Sequence, residues 1–165
     1  MPSNSPVLHL VSGKMASGKS TLAAKLAQND GTVLIAEDAW LGELFSDQMS
    51  TLADYVRFSA KLRGIIKPHV VALLRAGVSV SLDFPANTAD TRVWMRDIIE
   101  ATGVSHQMHV MDVSDETCLA RLRQRNATGD HPFAPTEEQF HRVSAHYTLP
   151  SPEEGFKLVS HRDPG

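Results

Sequence analysis

The sequence predicts an α/β fold in which a parallel β-sheet is covered by helices on both faces. Short apolar segments of strand length alternate along the chain with longer stretches of helical spacing. A glycine-containing loop also follows the first apolar segment directly and opens a helix. Strands joined through helices in this way become parallel neighbours and carry the helices over the sheet. The apolar segments are residues 7–11, 32–36, 78–82, 106–113 and 156–159.

The helical stretches have recognisable start and stop signals. Asn87 is predicted to cap the helix over 89–102, and Ser114 the helix over 115–125, because both residue types accept hydrogen bonds from first-turn amides. Pro68 interrupts the stretch from 52 to 76, so we expect either two helices there or one helix kinked near Lys67.

Residues 13–20 match the full phosphate-binding loop pattern G-x-x-x-x-G-K-[ST], in the strand–loop–helix context that the pattern requires. Gly13 and Gly18 allow backbone conformations in which successive N–H groups converge on phosphate oxygens at a helix N-terminus. Lys19 would supply a positive charge for the β- and γ-phosphates, and the Ser20 hydroxyl a ligand for Mg²⁺. ATP and Mg²⁺ are therefore the predicted cofactors. The predicted nucleotide contacts are Gly13, Lys14, Met15, Ala16, Ser17, Gly18, Lys19, Ser20 and Thr21.

Carboxylates follow the second and third predicted strands, at the edge of a parallel sheet where ligands bind. Asp38 is the candidate catalytic base, with a helix N-cap as the structural alternative. Asp83 is the candidate metal-supporting group, with a turn or helix cap as its alternative. Either aspartate could be the base. Glu37 could join the metal shell or be a solvated or salt-bridged acid.

Arginines before a turn-rich segment are candidates for neutralising a transferring phosphoryl group. Arg125 is the best placed, while Arg121 and Arg123 could equally belong to a solvated basic face. The segment that follows, 126–135, is rich in Gly, Pro, Asn and Asp and is predicted to be a lid, in which His131 could contact substrate or form a turn.

Arg92 and Arg57 are the candidate acceptor-binding arginines. Arg92 lies in the first turn of the helix after Asp83, and could bind an anionic or hydroxyl-rich acceptor or be an ordinary surface residue. Arg57 has the same ambiguity with weaker support, as does Arg63.

Composition limits the possible classes of protein. A chain of 165 residues with 42% apolar and 21% charged residues fits a single domain over 1–165. The net charge of −3 disfavours a nucleic-acid partner. Cys118 is the single cysteine, which excludes an internal disulfide and indicates a small apolar role. No apolar run is long enough to span a membrane and no signal peptide is recognisable, so we expect a cytoplasmic protein.

Together, the phosphate loop, Asp38, Asp83 with an arginine nine residues later, and the arginine-rich helix resemble the small P-loop kinases, which are AAA-domain ATP-binding proteins. This group holds zeta toxins, chloramphenicol phosphotransferases and the kinase domain of polynucleotide kinases. The resemblance implies a five-stranded parallel sheet in the order 2-3-1-4-5. It also implies that Asp38 is catalytic, that Lys19 and Ser20 bind nucleotide and metal, and that Arg125 is a lid arginine.

The activity implied is an ATP- and Mg²⁺-dependent phosphoryl transfer to a hydroxyl of a small molecule. A polynucleotide or RNA 5′-hydroxyl kinase and a nucleotide-gated regulatory ATPase without an acceptor are the alternatives. The more distantly similar shikimate kinases carry Asp-x-Asp after the second strand, whereas this chain has Glu37-Asp38, so metal binding by that segment is not implied. The identity of the acceptor is not encoded in a readable motif.

Overall fold

A computed structural model describes residues 5–129 and 134–162, which build a five-stranded sheet with all neighbouring strands parallel. The strand order is β2-β3-β1-β4-β5, which confirms the predicted fold class and order. The strands are β1 (Val7–Ser12), β2 (Thr32–Ala36), β3 (Ser79–Pro85), β4 (Ser105–Asp112) and β5 (Leu158–Arg162). The described helices are α1 (Lys19–Leu26), α2 (Glu37–Phe45), α3 (Leu52–Arg75), α4 (Ala89–Thr102), α5 (Asp115–Thr128) and α6 (Glu137–Ser144), with a short 3₁₀ turn at Pro152–Glu154.

Helices cover both faces of the sheet, as alternate residues of the central strand β3 show. Val80 and Leu82 point into the main core, which they share with buried side chains of α3 and α4. Between them, Ser81 points the other way and donates a hydrogen bond of 2.8 Å to the carbonyl of Ala23 in α1. Phosphate loop and α1 are thus anchored on one face, and the long helix α3 on the other.

Helix α3 is continuous over 24 residues with Pro68 inside it, so the chain forms one helix here and the alternative of two separate helices is wrong. Proline lacks the N–H that would bind the carbonyl four residues earlier, which belongs to Gly64. Buried residues at every fourth position continue across the proline, and this packing holds the helix together. They are Phe58, Leu62, Ile66, Val70 and Leu74.

Two helix starts differ from the prediction. Thr88, not Asn87, caps α4, because the Thr88 hydroxyl accepts from the amide of Thr91. Helix α2 begins at Glu37 with Ala36 as its N-cap, so Asp38 lies inside the first turn and is not a cap. The predicted cap at Ser114 is confirmed. No helix in the described part of the chain combines the length and the apolar character needed to cross a membrane.

Candidate active site

The phosphate loop between β1 and α1 has a backbone that only small residues allow. A Cβ atom on Gly13 would lie 2.4 Å from Ser17 Oγ and 2.8 Å from Met111 Cβ. Gly18 has φ 99°, and Ala16 also takes a left-handed conformation with φ 60°. The loop therefore depends on close approach at Gly13 and on positive φ at Gly18.

The loop also leaves polar groups that fit an anion. Gly18 caps α1 without a side chain, so the first amides of this helix receive no side-chain acceptor. Ser17 is 2% exposed, and its Oγ has no hydrogen-bond partner among the described residues. An uncapped helix N-terminus directly after a glycine-containing loop is the arrangement that binds an anion.

Lys19 lies at the centre of the predicted site. Its Nζ donates to the carbonyls of Gly13 at 2.5 Å and Lys14 at 2.9 Å. Burial lowers the pKa of Lys19 to about 8, although the carboxylates of Asp83 and Asp38 act in the opposite direction. The charge of Arg125 also lowers this pKa. The structure thus brings both aspartates and Arg125 within electrostatic reach of the same ammonium group.

Asp83 and Ser20 lie together where a metal is expected. Burial raises the pKa of Asp83, while a hydrogen bond from Ser20 and the charge of Lys19 lower it. Asp83 lies within β3, which extends to Pro85 and not only to the predicted end at residue 82, and it pairs with Ala36 of β2. A hydroxyl and a carboxylate beside a phosphate site fit Mg²⁺, which keeps several waters and needs few protein ligands. Among the described residues no group of three or more His, Cys, Asp or Glu side chains could hold a metal ion.

Asp38 and Glu37 are neighbours in the first turn of α2 with opposite environments. Asp38 is exposed, whereas Glu37 is 3% exposed and accepts hydrogen bonds from the hydroxyls of Tyr55 and of Ser59, the latter at 2.7 Å. Burial raises the pKa of Glu37 in spite of these two bonds. The prediction of a solvated or salt-bridged Glu37 is therefore wrong. Its two oxygens are used to join α2 to α3.

The three arginines of α5 have three different environments. Arg125 Nε is buried and has no hydrogen-bond partner among the described residues, while its charge acts on Lys19. Arg121 Nη1 lies 3.4 Å from the carbonyl of Ala16, so it contacts the phosphate loop. Arg123 is exposed and forms an ion pair with Glu137. Arg121 and Arg123 are both exposed, as a solvated basic face predicts, whereas Arg125 is half-buried.

Arg92 is neither a surface residue nor an available acceptor ligand. It is 2% exposed, and its Nε donates to Glu154 at 2.6 Å. It also donates hydrogen bonds to the carbonyl of Ala86 at 3.0 Å and to the carbonyl and hydroxyl of Thr148 at 2.8 and 2.9 Å. These bonds occupy most of the donors of the guanidinium. The acceptor role predicted for Arg92 is therefore replaced by a structural one.

The other two candidate arginines lie on α3. Arg57 is exposed, and its guanidinium lies 5.1 Å from the centre of the Phe58 ring. Arg63 donates to Thr91 Oγ1 at 3.2 Å, and its charge lowers the pKa values of Glu37 and Tyr55. Arg63, which the sequence supported only weakly, is thus close to Glu37, the residue before Asp38.

Asn87 is the site residue that the sequence did not identify. Its side-chain amide makes two hydrogen bonds with the backbone of Gly13 at the start of the phosphate loop. The sequence offered only its position after β3 as a signal, and an asparagine there also fits a helix cap. Cys118 has the predicted apolar role, since it is buried in a small cluster with Met15 and Ala16 of the loop packed against it.

The predicted lid lies partly within helix α5. Residues 126–128 are helical, and Gly129 ends the helix with φ 69°. Asn126 Nδ2 donates to the carbonyl of Pro135 at 2.7 Å, which ties the two ends of the segment together. Residues 130–133, with His131, lie outside the described residues. The lid therefore stays a prediction.

A family model described as an AAA domain matches residues 8–150. The chain belongs to this family. The match includes the phosphate loop, both aspartates and the arginine-rich helix, and it supports the resemblance to small P-loop kinases. No curated protein matches the chain.

Several solved structures share the fold of this AAA-domain protein. A candidate kinase from Chloroflexus aurantiacus is 20% identical with a TM-score of 0.76, and the match covers 96% of this chain and 85% of that one. The APS kinase of Mycobacterium tuberculosis in complex with AMPPNP and APS is 18% identical with a TM-score of 0.61, covering 94% and 88%. Kti12 of Chaetomium thermophilum in complex with ADP-AlF3 is 14% identical with a TM-score of 0.68, covering 94% and 89%. At these identities the similarity shows the fold alone, which is the P-loop NTPase fold of a five-stranded parallel sheet with helices.

Proposed function

We propose that this protein is an ATP- and Mg²⁺-dependent phosphotransferase that moves the γ-phosphoryl group to a hydroxyl of a small molecule. The observation that carries the proposal is the geometry of the phosphate loop, in which Gly13 and Gly18 leave the N-terminus of α1 uncapped beside Lys19 and Ser20. The charges of Asp38, Asp83 and Arg125 all affect the pKa of Lys19, which supports placing these residues in the same site. Structural neighbours that contain nucleotide analogues support a nucleotide in this loop.

Each group has a role in the transfer. The loop amides and Lys19 bind the β- and γ-phosphates. The oxygen of the acceptor hydroxyl forms a bond to the γ-phosphorus, and Asp38 accepts the proton of that hydroxyl. The bond between the γ-phosphorus and the oxygen that bridges it to the β-phosphate breaks, and ADP is released. Arg125 stabilises charge on the transferring group. Ser20 and Asp83 would hold Mg²⁺, which neutralises phosphate charge when it is bound.

The acceptor would bind on the side of α2 and α3. Asp38 is exposed there, and Arg63 lies close enough to act on the adjacent Glu37. Arg63 thus takes the place of Arg92 as the arginine proposed to contact the acceptor. The net charge of −3 favours a small acceptor over a long nucleic acid.

The test is an acceptor screen with a matched inactive variant. The purified protein, Mg²⁺ and ATP labelled at the γ-phosphate are incubated with nucleosides, sugars, antibiotics and RNA 5′ ends, and transfer is measured for the protein and for Lys19→Ala. We expect transfer to one class of hydroxyl, lost in Lys19→Ala together with ATP binding, while the melting temperature changes little. Unchanged nucleotide affinity in folded Lys19→Ala would refute the phosphate-loop assignment. ATP hydrolysis without transfer to any acceptor would instead favour the regulatory ATPase.

A further inference from the structure

Asn87 joins the end of β3 to the first residue of the phosphate loop. The amide of Gly13 donates to Asn87 Oδ1 at 2.9 Å, and Asn87 Nδ2 donates to the carbonyl of Gly13 at 2.8 Å. A side-chain amide is the group that can offer a donor and an acceptor to the same peptide residue in this way. Because Gly13 is buried, these bonds satisfy groups that water does not reach.

The carbonyl of Gly13 has a second donor in Lys19, whose Nζ lies 2.5 Å away. Lys19 cannot direct its charge at a nucleotide phosphate and keep its full interaction with this carbonyl. When Lys19 turns to a phosphate, Asn87 Nδ2 is the donor that still satisfies the buried Gly13 carbonyl. Asn87 therefore lowers the cost of releasing Lys19 from the loop.

The backbone around Asn87 is itself held from both sides. The carbonyl of Asn87 accepts from the amide of Thr148 at 2.8 Å. The preceding carbonyl, that of Ala86, accepts from the buried guanidinium of Arg92, which also binds Thr148. Arg92 thus has a structural role, because its hydrogen bonds hold the backbone of residues 86 and 87 in the position from which the Asn87 side chain contacts Gly13.

We propose that Asn87 is a positioning residue for nucleotide binding. It holds the Gly13 peptide in place, and it remains the hydrogen-bond donor to the Gly13 carbonyl when Lys19 moves to the phosphates. This inference rests on the proposed phosphate-binding function. It gives Asn87 no contact with the nucleotide, so its effect should appear in affinity and in the Michaelis constant for ATP more than in kcat.

The test compares Asn87→Asp, Asn87→Ala and Thr88→Ala for binding of Mg²⁺-AMPPNP by calorimetry between pH 4 and pH 8, a range that reaches the ordinary aspartate pKa of about 3.9. An ionised aspartate accepts from the Gly13 amide but has no proton for the Gly13 carbonyl, whereas a protonated one restores both bonds. We expect Asn87→Asp to bind roughly tenfold more weakly at pH 8, a typical effect of one lost hydrogen bond, and to approach the unaltered protein as the pH falls. Asn87→Ala should show a loss whose ratio to the unaltered protein does not depend on pH. Thr88→Ala removes the cap of α4 beside Asn87, so it should lower the melting temperature and leave the affinity unchanged.

Other groups around the loop also titrate or carry charge, so affinities are expressed as ratios to the unaltered protein at each pH. These groups are Lys14, Lys19, Asp38, Asp83, Arg92, Asp115, Arg125 and Tyr147. Should Asn87→Asp and Asn87→Ala bind as the unaltered protein does while Lys19→Ala loses binding, this inference is wrong and the proposed function stands. A loss in Asn87→Asp that does not narrow at low pH overturns the two-bond role even if Asn87→Ala fails to fold. Normal binding by Lys19→Ala would remove both.

Discussion

The two sides of the site differ in whether their buried polar atoms have hydrogen-bond partners. On the donor side, formed by residues 13–20 and Arg125, Ser17 Oγ and Arg125 Nε are buried without hydrogen-bond partners among the described residues. On the acceptor side, formed by α2 and α3, both oxygens of buried Glu37 have a hydroxyl donor. The donor side thus leaves buried polar groups unsatisfied, and the N-terminus of α1 in it is uncapped, which fits an anion. The acceptor side completes itself and presents Asp38 on its surface.

This difference explains why the chemistry of the site identifies the class of phosphoryl donor but not the molecule that accepts the phosphoryl group. A glycine-containing loop, the uncapped N-terminus of α1 and a lysine and a serine at the start of that helix are the features of a phosphate site. An exposed carboxylate with Arg63 near its neighbour specifies only that a hydroxyl could be deprotonated there. Predictions that separate the two sides therefore test the proposal most directly.

The largest effect is expected on the acceptor side, at the proposed base. Asp38→Asn should lower kcat by about 10²- to 10⁴-fold, because an amide cannot accept the hydroxyl proton, and should leave ATP affinity nearly unchanged. Single-turnover transfer measures the first quantity and calorimetry the second.

Asp90→Asn is the matched control, because Asp90 is also exposed in the first turn of a helix but lies on α4. It should retain full turnover. Full turnover in Asp38→Asn would pass the role of base to Asp83 or to no side chain.

A smaller effect is expected at Arg125 on the donor side. Arg125→Ala should lower kcat by about 10²-fold, because a preorganised donor directed at developing charge is lost. The Michaelis constant for ATP should rise much less. Steady-state kinetics with the acceptor found in the screen measures both.

Arg123→Ala is the control on the same helix, since Arg123 is exposed and paired with Glu137. Removing it should change neither constant. If Arg125→Ala behaves like Arg123→Ala, Arg125 has no part in the transfer and the donor side ends at the phosphate loop.

The same contrast determines how much could be predicted from the sequence. The strands and the nucleotide loop are encoded in contiguous residues, where spacing alone predicts the backbone, and the fold class was predicted correctly. Glu37, Tyr55 and Ser59 are contributed by two helices, and Asn87 meets Gly13 across 74 residues of chain. Arg92 was misassigned because its partners, Thr148 and Glu154, lie far along the chain. Contacts of this kind depend on tertiary packing, which hydrophobic periodicity does not specify.

The smallest effect tests whether the acceptor side is a scaffold, through the pH dependence of stability at Glu37. Burial raises the pKa of Glu37 in the folded protein above its ordinary value of 4.5. As the pH rises through 4.5, the unfolded chain ionises first, so the unfolded state gains free energy of ionisation that the folded state does not. Between pH 4.5 and the raised pKa of Glu37, the free energy of unfolding therefore falls as the pH rises, by at most about 1.4 kcal/mol per pH unit.

Glu37→Gln removes this titration. The free energy of unfolding of Glu37→Gln, minus that of the unaltered protein, should increase with pH over this range and then level off, when measured by urea unfolding. Glu43→Gln, which replaces an exposed glutamate of the same helix, should show little or no such increase. A difference for Glu37→Gln that stays constant with pH would mean that Glu37 is solvated in solution, and the acceptor side would then lack the buried joint between α2 and α3 on which the position of Asp38 depends.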